Sequence, residues 1–139
     1  MILVIQVLAT AQAVTKAGQR LFRPHGLTVA KFNVLNLLSD QPAGMRASDL
    51  ARGLIVDASN VTGLIKRMTA EGYLRPVTNV SDRRQHVVAL SPKGLRVWRS
   101  AFEQYRRALE AFEAGLRPAE RDATEKVLTR ILTASQSRH

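Results

Sequence analysis

The sequence predicts a mainly α-helical (α+β) fold, and three observations carry this prediction. Residues 58–71 place apolar side chains at helical spacing on one side and polar or basic side chains on the other. Residues 73–77 and 86–90 are short runs rich in β-branched and aromatic residues, and they flank a turn-forming basic segment. Amphipathic helical patterns occupy both ends of the chain. Together these features predict a winged helix-turn-helix with N- and C-terminal dimerisation helices.

The segment at 58–71 has the pattern of a recognition helix that lies in a DNA groove. Its predicted core stripe consists of Ala58, Val61, Leu64, Ile65 and Met68. The opposite side carries Ser59, Asn60, Thr62, Gly63, Lys66 and Arg67. Short hydrogen-bonding side chains near the N-terminal end suit base edges, and the long basic ones further along reach phosphates.

Local signals set the ends of this helix and its partner. Asp57 can cap the first turn, and Gly72 can end the helix in the left-handed conformation. Residues 47–54 predict the preceding helix, and the three residues 55–57 are a usual length for a helix-turn-helix joint. Gly63 costs about 1 kcal/mol of helix stability relative to alanine. Gly63 is therefore either a neutral substitution without a functional role or a residue that allows the helix to approach the groove closely.

The segment between the two predicted strands indicates a DNA-contacting wing. Residues 78–85 are turn-forming and include the pair Arg83 and Arg84. Arginine at a hairpin tip can enter a narrow minor groove, where negative potential is concentrated. Asp82 could hold an arginine in place through a carboxylate–guanidinium pair. The alternative is a solvated hairpin with ordinary surface charge.

The remaining elements complete one predicted domain over residues 1–139, with a winged-helix core at about 28–95. The other predicted helices span 2–22, 28–39, 92–114 and 118–134, and a minimal strand is expected at Met45. The segments 2–22 and 92–134 expose more apolar surface than a small core can cover, which predicts a homodimer interface. A two-fold dimer would bind a near-palindromic operator.

Composition favours a polyanionic partner. The net charge is +10, and eight of the 21 Lys and Arg residues fall between Lys66 and Arg99. Cysteine is absent and the three histidines are widely separated, so no metal site, cofactor or catalytic group is predicted and the chain is not expected to be an enzyme. The apolar first ten residues are too short to span a membrane and lack a preceding cation, so the expected location is cytoplasmic. There the protein would be nucleoid-associated when DNA-bound.

Several segments resemble the multiple-antibiotic-resistance regulator (MarR) family. They are Leu27-Thr-Val-Ala-Lys-Phe-Asn-Val-Leu, Met45-Arg-Ala-Ser-Asp-Leu-Ala, Asn60-Val-Thr-Gly-Leu-Ile-Lys-Arg-Met, Glu71-Gly-Tyr-Leu, Asp82-Arg-Arg and Leu90-Ser-Pro-Lys-Gly. The resemblance implies a homodimeric bacterial or archaeal transcription regulator, usually a repressor, whose affinity for double-stranded DNA is often lowered by a small ligand. By position, the groove-facing residues would be Ser59, Asn60, Thr62, Gly63, Lys66 and Arg67, with Asp82 and Arg84 in the wing. Gly63 departs from the larger polar residues common there.

The resemblance also implies a ligand site between the dimerisation helices and the winged helix. In this chain the predicted ligand-binding residues are Arg20, Arg23, His25, Lys31 and Asn36. Cations beside apolar walls suit a small aromatic anion as effector, whereas the alternative is that these cations lie in solvent. An alternative function is a winged-helix module for protein interaction or dimerisation, without sequence-specific DNA binding. The arginine-bearing wing and the net charge of +10 favour DNA binding over this alternative.

Overall fold

A computed structural model describes residues 2–54, 58–78 and 86–137. The helices are α1 (Ile2–Phe22), α2 (Val29–Leu38), α3 (Ala47–Gly53), α4 (Ala58–Ala70), α5 (Pro92–Glu113) and α6 (Pro118–Gln136), and the strands are β1 (Met45–Arg46), β2 (Leu74–Pro76) and β3 (Val87–Leu90). Every predicted helix and strand is present, and the ends differ from the prediction by two residues at most. The mainly α (α+β) prediction is therefore confirmed.

The junction between α1 and α2 is compact and closely capped. A short 3-10 turn, Arg23–His25, follows α1, and Gly26 ends it with a positive φ of 71°. Thr28 then caps α2, because its Oγ1 accepts a hydrogen bond from the Lys31 backbone N–H at 3.1 Å. Phe22 stacks on Phe32 with ring centroids 4.2 Å apart, and both rings are buried. These contacts fix the end of α1 against α2.

The core lies between α2, α3 and α4. Val61, Leu64, Ile65 and Met68 are buried, which confirms the predicted stripe of α4 over the part that the structure describes. The Ala58 side chain lies outside the described part. The stripe packs in a core with the buried residues Phe32, Val34, Leu35, Leu38, Leu50 and Leu54. Full burial of each large apolar side chain contributes about 1.5–3 kcal/mol before entropy is counted, so this core orients α4.

The sheet is antiparallel and has the strand order β1-β3-β2. β3 is the central strand, pairing Val88 with Met45 on one side and Leu90 with Leu74 on the other. His86 was predicted to lie in a strand, but it lies one residue before β3, where its carbonyl accepts from the Ala47 N–H at 3.1 Å. The sheet thus joins the start of α3 to the strands on either side of the predicted wing.

The chain divides into two compact units, residues 1–104 and 105–139, and the second contains the end of α5 together with α6. Within it, Arg121 Nη1 lies 3.4 Å from Glu113 Oε2. At the start of α6, the backbone N–H of Arg117 donates to Glu120 Oε2 at 2.9 Å. The Arg117 side chain donates to the same carboxylate and lowers the pKa of Glu120, while Glu120 raises the pKa of Arg117. The prediction of a single domain stays a prediction.

Apolar side chains remain exposed on α1 and α6 in the single chain. Leu8 of α1 is 59% exposed and Leu128 of α6 is 46% exposed. Val127 and Leu132 of α6 are also exposed. The structure contains one chain, so burial of these residues in a dimer stays a prediction. Within the described ranges, no helix combines the length and the apolar character needed to cross a membrane.

Candidate nucleic-acid interface

One face of α4 presents polar and basic side chains to solvent. Asn60, Thr62, Lys66 and Arg67 are exposed on the side opposite the buried stripe. Ser59 lies in the first turn of α4, but its side chain is outside the described part. Four of the six residues predicted on this face are therefore exposed side chains on the same helix. Their order along α4, amide and hydroxyl first and cations later, is that of base contacts followed by phosphate contacts.

Gly63 is half-exposed in the middle of the polar face. A Cβ built at this position meets Arg67 Nη1 at 3.4 Å and no closer atom. That is an ordinary contact distance, so packing within the chain does not require glycine here. The presence of glycine at position 63 is therefore not explained by packing within this chain.

A shallow groove lies between the two helices of the helix-turn-helix. Its volume is about 440 Å³, and it is lined by Ala47, Ser48, Ala51, Arg52, Val61 and Thr62. Asp49 forms ion pairs with Arg46 Nε at 3.0 Å and with Arg52 Nη2 at 2.8 Å. Asp49 thus orients both arginines, and Arg52 shares the groove with Thr62 of α4. The sequence prediction missed this cluster, although the spacing of Arg46, Asp49 and Arg52 at steps of three residues was visible in it.

The C-terminal end of α4 is joined to the start of α5. Gly72 has a φ of 86°, in the left-handed region, which confirms the predicted helix end. Ser91 donates its hydroxyl to the Gly72 carbonyl and accepts from the Gly94 N–H at 3.0 Å. A Cβ at Gly94 would lie 2.1 Å from the Tyr73 carbonyl oxygen, so only glycine allows this approach. The segment Leu90-Ser-Pro-Lys-Gly is therefore a structural joint.

The predicted wing residues Asp82, Arg83 and Arg84 lie outside the described residues. The strands on either side of them, β2 and β3, are described and pair antiparallel. Arg75 on β2 is exposed. Contact between the wing and DNA stays a prediction.

The predicted ligand residues mostly have partners within the chain. His25 Nε2 lies 3.2 Å from Gln104 Oε1, and Lys31 Nζ binds both carboxylate oxygens of Glu71 at 2.9 and 3.0 Å. Asn36 Oδ1 accepts from Trp98 Nε1 at 3.1 Å. The Lys31 ammonium is therefore paired with the Glu71 carboxylate, and its role in ligand binding stays a prediction. Arg20 and Arg23 are exposed.

An open cleft of about 530 Å³ lies where α1 meets α2. It is lined by Gln19, Arg23, Leu27, Thr28, Val29 and Ala30. Arg23 is the predicted ligand residue that takes part in this lining. Among the described residues, no group of three or more carboxylates or histidines has the arrangement of a metal site.

Comparison with known proteins finds a likeness to one family over the central part of the chain. The family model described as the MarR family matches residues 25–85. The transcriptional activatory protein BadR of Rhodopseudomonas palustris is 39% identical over 90 residues, covering 63% of this chain and 51% of BadR. The central part of the chain is therefore similar to the MarR family. The chain spans about half the length of the first two curated relatives it matches, at 51% and 45%.

Solved structures of MarR-family proteins share the fold along the chain. AbsC, a MarR family transcriptional regulator from Streptomyces coelicolor, has a TM-score of 0.85 at 25% identity, covering 96% of this chain and 91% of AbsC. The DNA complex of MepR from S. aureus has a TM-score of 0.83 at 14% identity and covers 94% of this chain and 96% of MepR. At that identity the second likeness concerns the fold alone. The winged helix-turn-helix of MarR proteins is therefore the fold of this chain.

Proposed function

We propose that this chain is a sequence-specific, DNA-binding transcriptional regulator of the MarR family that acts as a homodimer. The observation that carries the proposal is the exposed face of α4, with Asn60, Thr62, Lys66 and Arg67 opposite a fully apolar buried stripe. The net charge of +10 supports a polyanionic partner. The relative BadR is named a transcriptional activatory protein, and MepR was crystallised on DNA. Repression of a near-palindromic operator is the mode we infer.

The proposed roles divide along α4 and the wing. Asn60 and Thr62 contact base edges, where a good bidentate pair contributes about 1–3 kcal/mol of discrimination. Lys66 and Arg67 contact phosphates and contribute to affinity for any sequence. Arg83 and Arg84 enter the flanking minor groove, with Asp82 holding one of them. We assign no catalytic step and no cofactor to the chain. We infer a cytoplasmic location, on the nucleoid when the protein is bound to DNA.

We further infer that a small aromatic anion lowers DNA affinity by binding near the junction of α1 and α2. Support comes from the cleft of about 530 Å³ there, where Arg23 lies beside Leu27, Val29 and Ala30. A carboxylate or phenolate removed from water needs such a cation. The anion can act on DNA binding only by preferring a dimer whose recognition helices are wrongly spaced for the grooves.

Fluorescence anisotropy on labelled duplexes tests the function. The duplexes are the region upstream of the protein's own gene and a shuffled duplex of the same composition. We expect tighter binding to the upstream duplex, with affinity falling on the order of a thousandfold between roughly 50 and 200 mM salt. A flat salt response, or equal affinity for both duplexes, would favour the protein-interaction module instead. A salicylate titration is the second arm, and unchanged affinity at millimolar anion would remove the effector but leave the regulator.

A further inference from the structure

Glu71 lies at an electrostatically unfavourable position. It follows the last residue of α4, where the helix dipole places partial negative charge and a carboxylate is disfavoured. Two lysines from other elements offset this cost. Lys31 Nζ of α2 contacts Glu71 Oε1 and Oε2 at 3.0 and 2.9 Å, and Lys93 Nζ of α5 donates to the Glu71 backbone carbonyl at 2.7 Å. Glu71 thus connects the end of α4 to α2 and to α5.

One side of this ion pair is largely covered by the protein, and the other is exposed. The Lys31 side chain is 18% exposed and the Glu71 side chain is 40% exposed. Lys93 is further oriented by the Tyr73 ring, whose centroid lies 4.6 Å from Nζ. Two oriented ammonium groups therefore fix the end of α4 from two directions. Partial burial also reduces the screening by salt that weakens exposed pairs.

We propose that Glu71 is a positioning residue for DNA recognition, because its ion pair with Lys31 sets the tilt of α4 against α2. This inference rests on the proposed function. Asn60 precedes Glu71 by eleven residues, or about 16 Å along a helix axis. A tilt of roughly 10° at the far end would therefore displace Asn60 by about 3 Å, the length of a hydrogen bond. Such a displacement would break hydrogen bonds to base edges. Lysine and arginine side chains are long and flexible, so they could still reach the phosphates.

The test compares Glu71→Gln and Lys31→Met with Lys31→Arg, which retains the charge pair. Asp40→Asn is the charge-matched control for Glu71→Gln, since Asp40 is exposed in the turn after α2. Anisotropy gives the affinity of each variant for the upstream duplex and for the shuffled duplex, and the ratio of the two measures discrimination. Circular dichroism confirms that each variant is folded at the assay temperature. A net charge change alone shifts both affinities together and leaves the ratio nearly unchanged.

We expect Glu71→Gln and Lys31→Met each to lower discrimination about fivefold. This is the size of effect expected when a single ion pair of this kind is lost. Lys31→Arg and Asp40→Asn should retain the wild-type ratio. Folded Glu71→Gln or Lys31→Met variants that discriminate like wild type would overturn the positioning role. If wild type itself fails to discriminate between the duplexes, the proposed function fails instead. In that case a double-mutant cycle of the unfolding free energy still tests the pair, and zero coupling between Lys31 and Glu71 would overturn the inference by itself.

Discussion

Gly63 is the residue where stability and proposed function make opposite demands. A glycine inside a helix loses more backbone entropy on folding than alanine does, and here the chain has room for a methyl group. Its neighbours on the polar face, Thr62 and Lys66, are exposed and available to a groove. If α4 enters the major groove, the missing side chain lets its backbone approach the bases closely. The DNA complex would then explain what the free chain leaves unexplained.

Gly63→Ala is therefore expected to change two quantities in opposite directions. The free energy of unfolding should rise by up to about 1 kcal/mol, since alanine is the better helix former. Affinity for the upstream duplex should fall, because the added methyl group separates helix and groove. Chemical denaturation and anisotropy on the same preparation measure the two effects. If Gly63→Ala stabilises the fold and leaves the affinity for the upstream duplex unchanged, Gly63 has no functional role.

At this scale the sequence predicted which side of α4 faces solvent but not the partners of individual side chains. Helical periodicity places Lys66 opposite Val61 and Met68 and places Asn60 to one side of them, so the exposure of both side chains follows from local geometry. Lys31 and Glu71 are 40 residues apart in sequence. No local pattern brings such residues together, so the ion pair between Lys31 and Glu71 was not predicted. The contact depends on how α2 packs against the end of α4.

The joint between α4 and α5 shows how a short segment positions whole elements. Ser91 precedes the first residue of α5 and caps it through the Gly94 N–H. Its hydroxyl also reaches the Gly72 carbonyl at the end of α4, and its N–H donates to the Tyr73 carbonyl at 3.0 Å. One side chain thus satisfies backbone groups at two helix ends. The start of α5 and the end of α4 are consequently fixed to each other.

Ser91→Ala should destabilise the chain by about 1–2 kcal/mol, because it removes a helix cap and leaves the Gly72 carbonyl without its hydroxyl donor. Denaturant titration of variant and wild type measures the difference. Ser91→Thr retains the hydroxyl and is the matched control, expected to lie close to wild type. An alanine variant as stable as wild type would show that water replaces both hydrogen bonds.

Element ends were predictable where the chain carries local signals. Gly72 marks the end of α4 and Pro118 begins α6, as the preferences of glycine and proline predict. The strands are shorter than predicted, at three and four residues, because ladder pairing with a neighbour defines a strand and β-propensity does not determine where pairing stops. The two-residue β1 is present where a minimal strand was predicted at Met45. Its pairing with β3 depends on a contact across more than 40 residues.

At the scale of the whole molecule, exposed apolar surface is concentrated on the elements outside the winged helix. Ile2, Leu3, Val4, Ile5 and Leu8 of α1 are each more than half exposed, and α6 exposes Leu132 to 56%. Exposed apolar side chains grouped as they are on α1 mark an interaction site. A second copy is the partner we propose, because a two-fold dimer would present two α4 helices to successive major grooves about one helical turn apart.

Deletion of residues 1–15 tests this arrangement without changing the electrostatics. The deleted segment contains no Lys, Arg, Asp or Glu, so the net charge of +10 is retained and attraction to phosphates is not the variable. Wild type should elute with twice the 15.4 kDa mass of one chain in light-scattering chromatography. The deletion should be monomeric or aggregated, and it should lose most of its affinity for a duplex with two half-sites.

On a duplex with one half-site the difference from wild type should be small, because only one α4 can bind there. A soluble deletion that remains dimeric and binds the two-half-site duplex like wild type would remove α1 from the interface and leave α5 and α6 to form it.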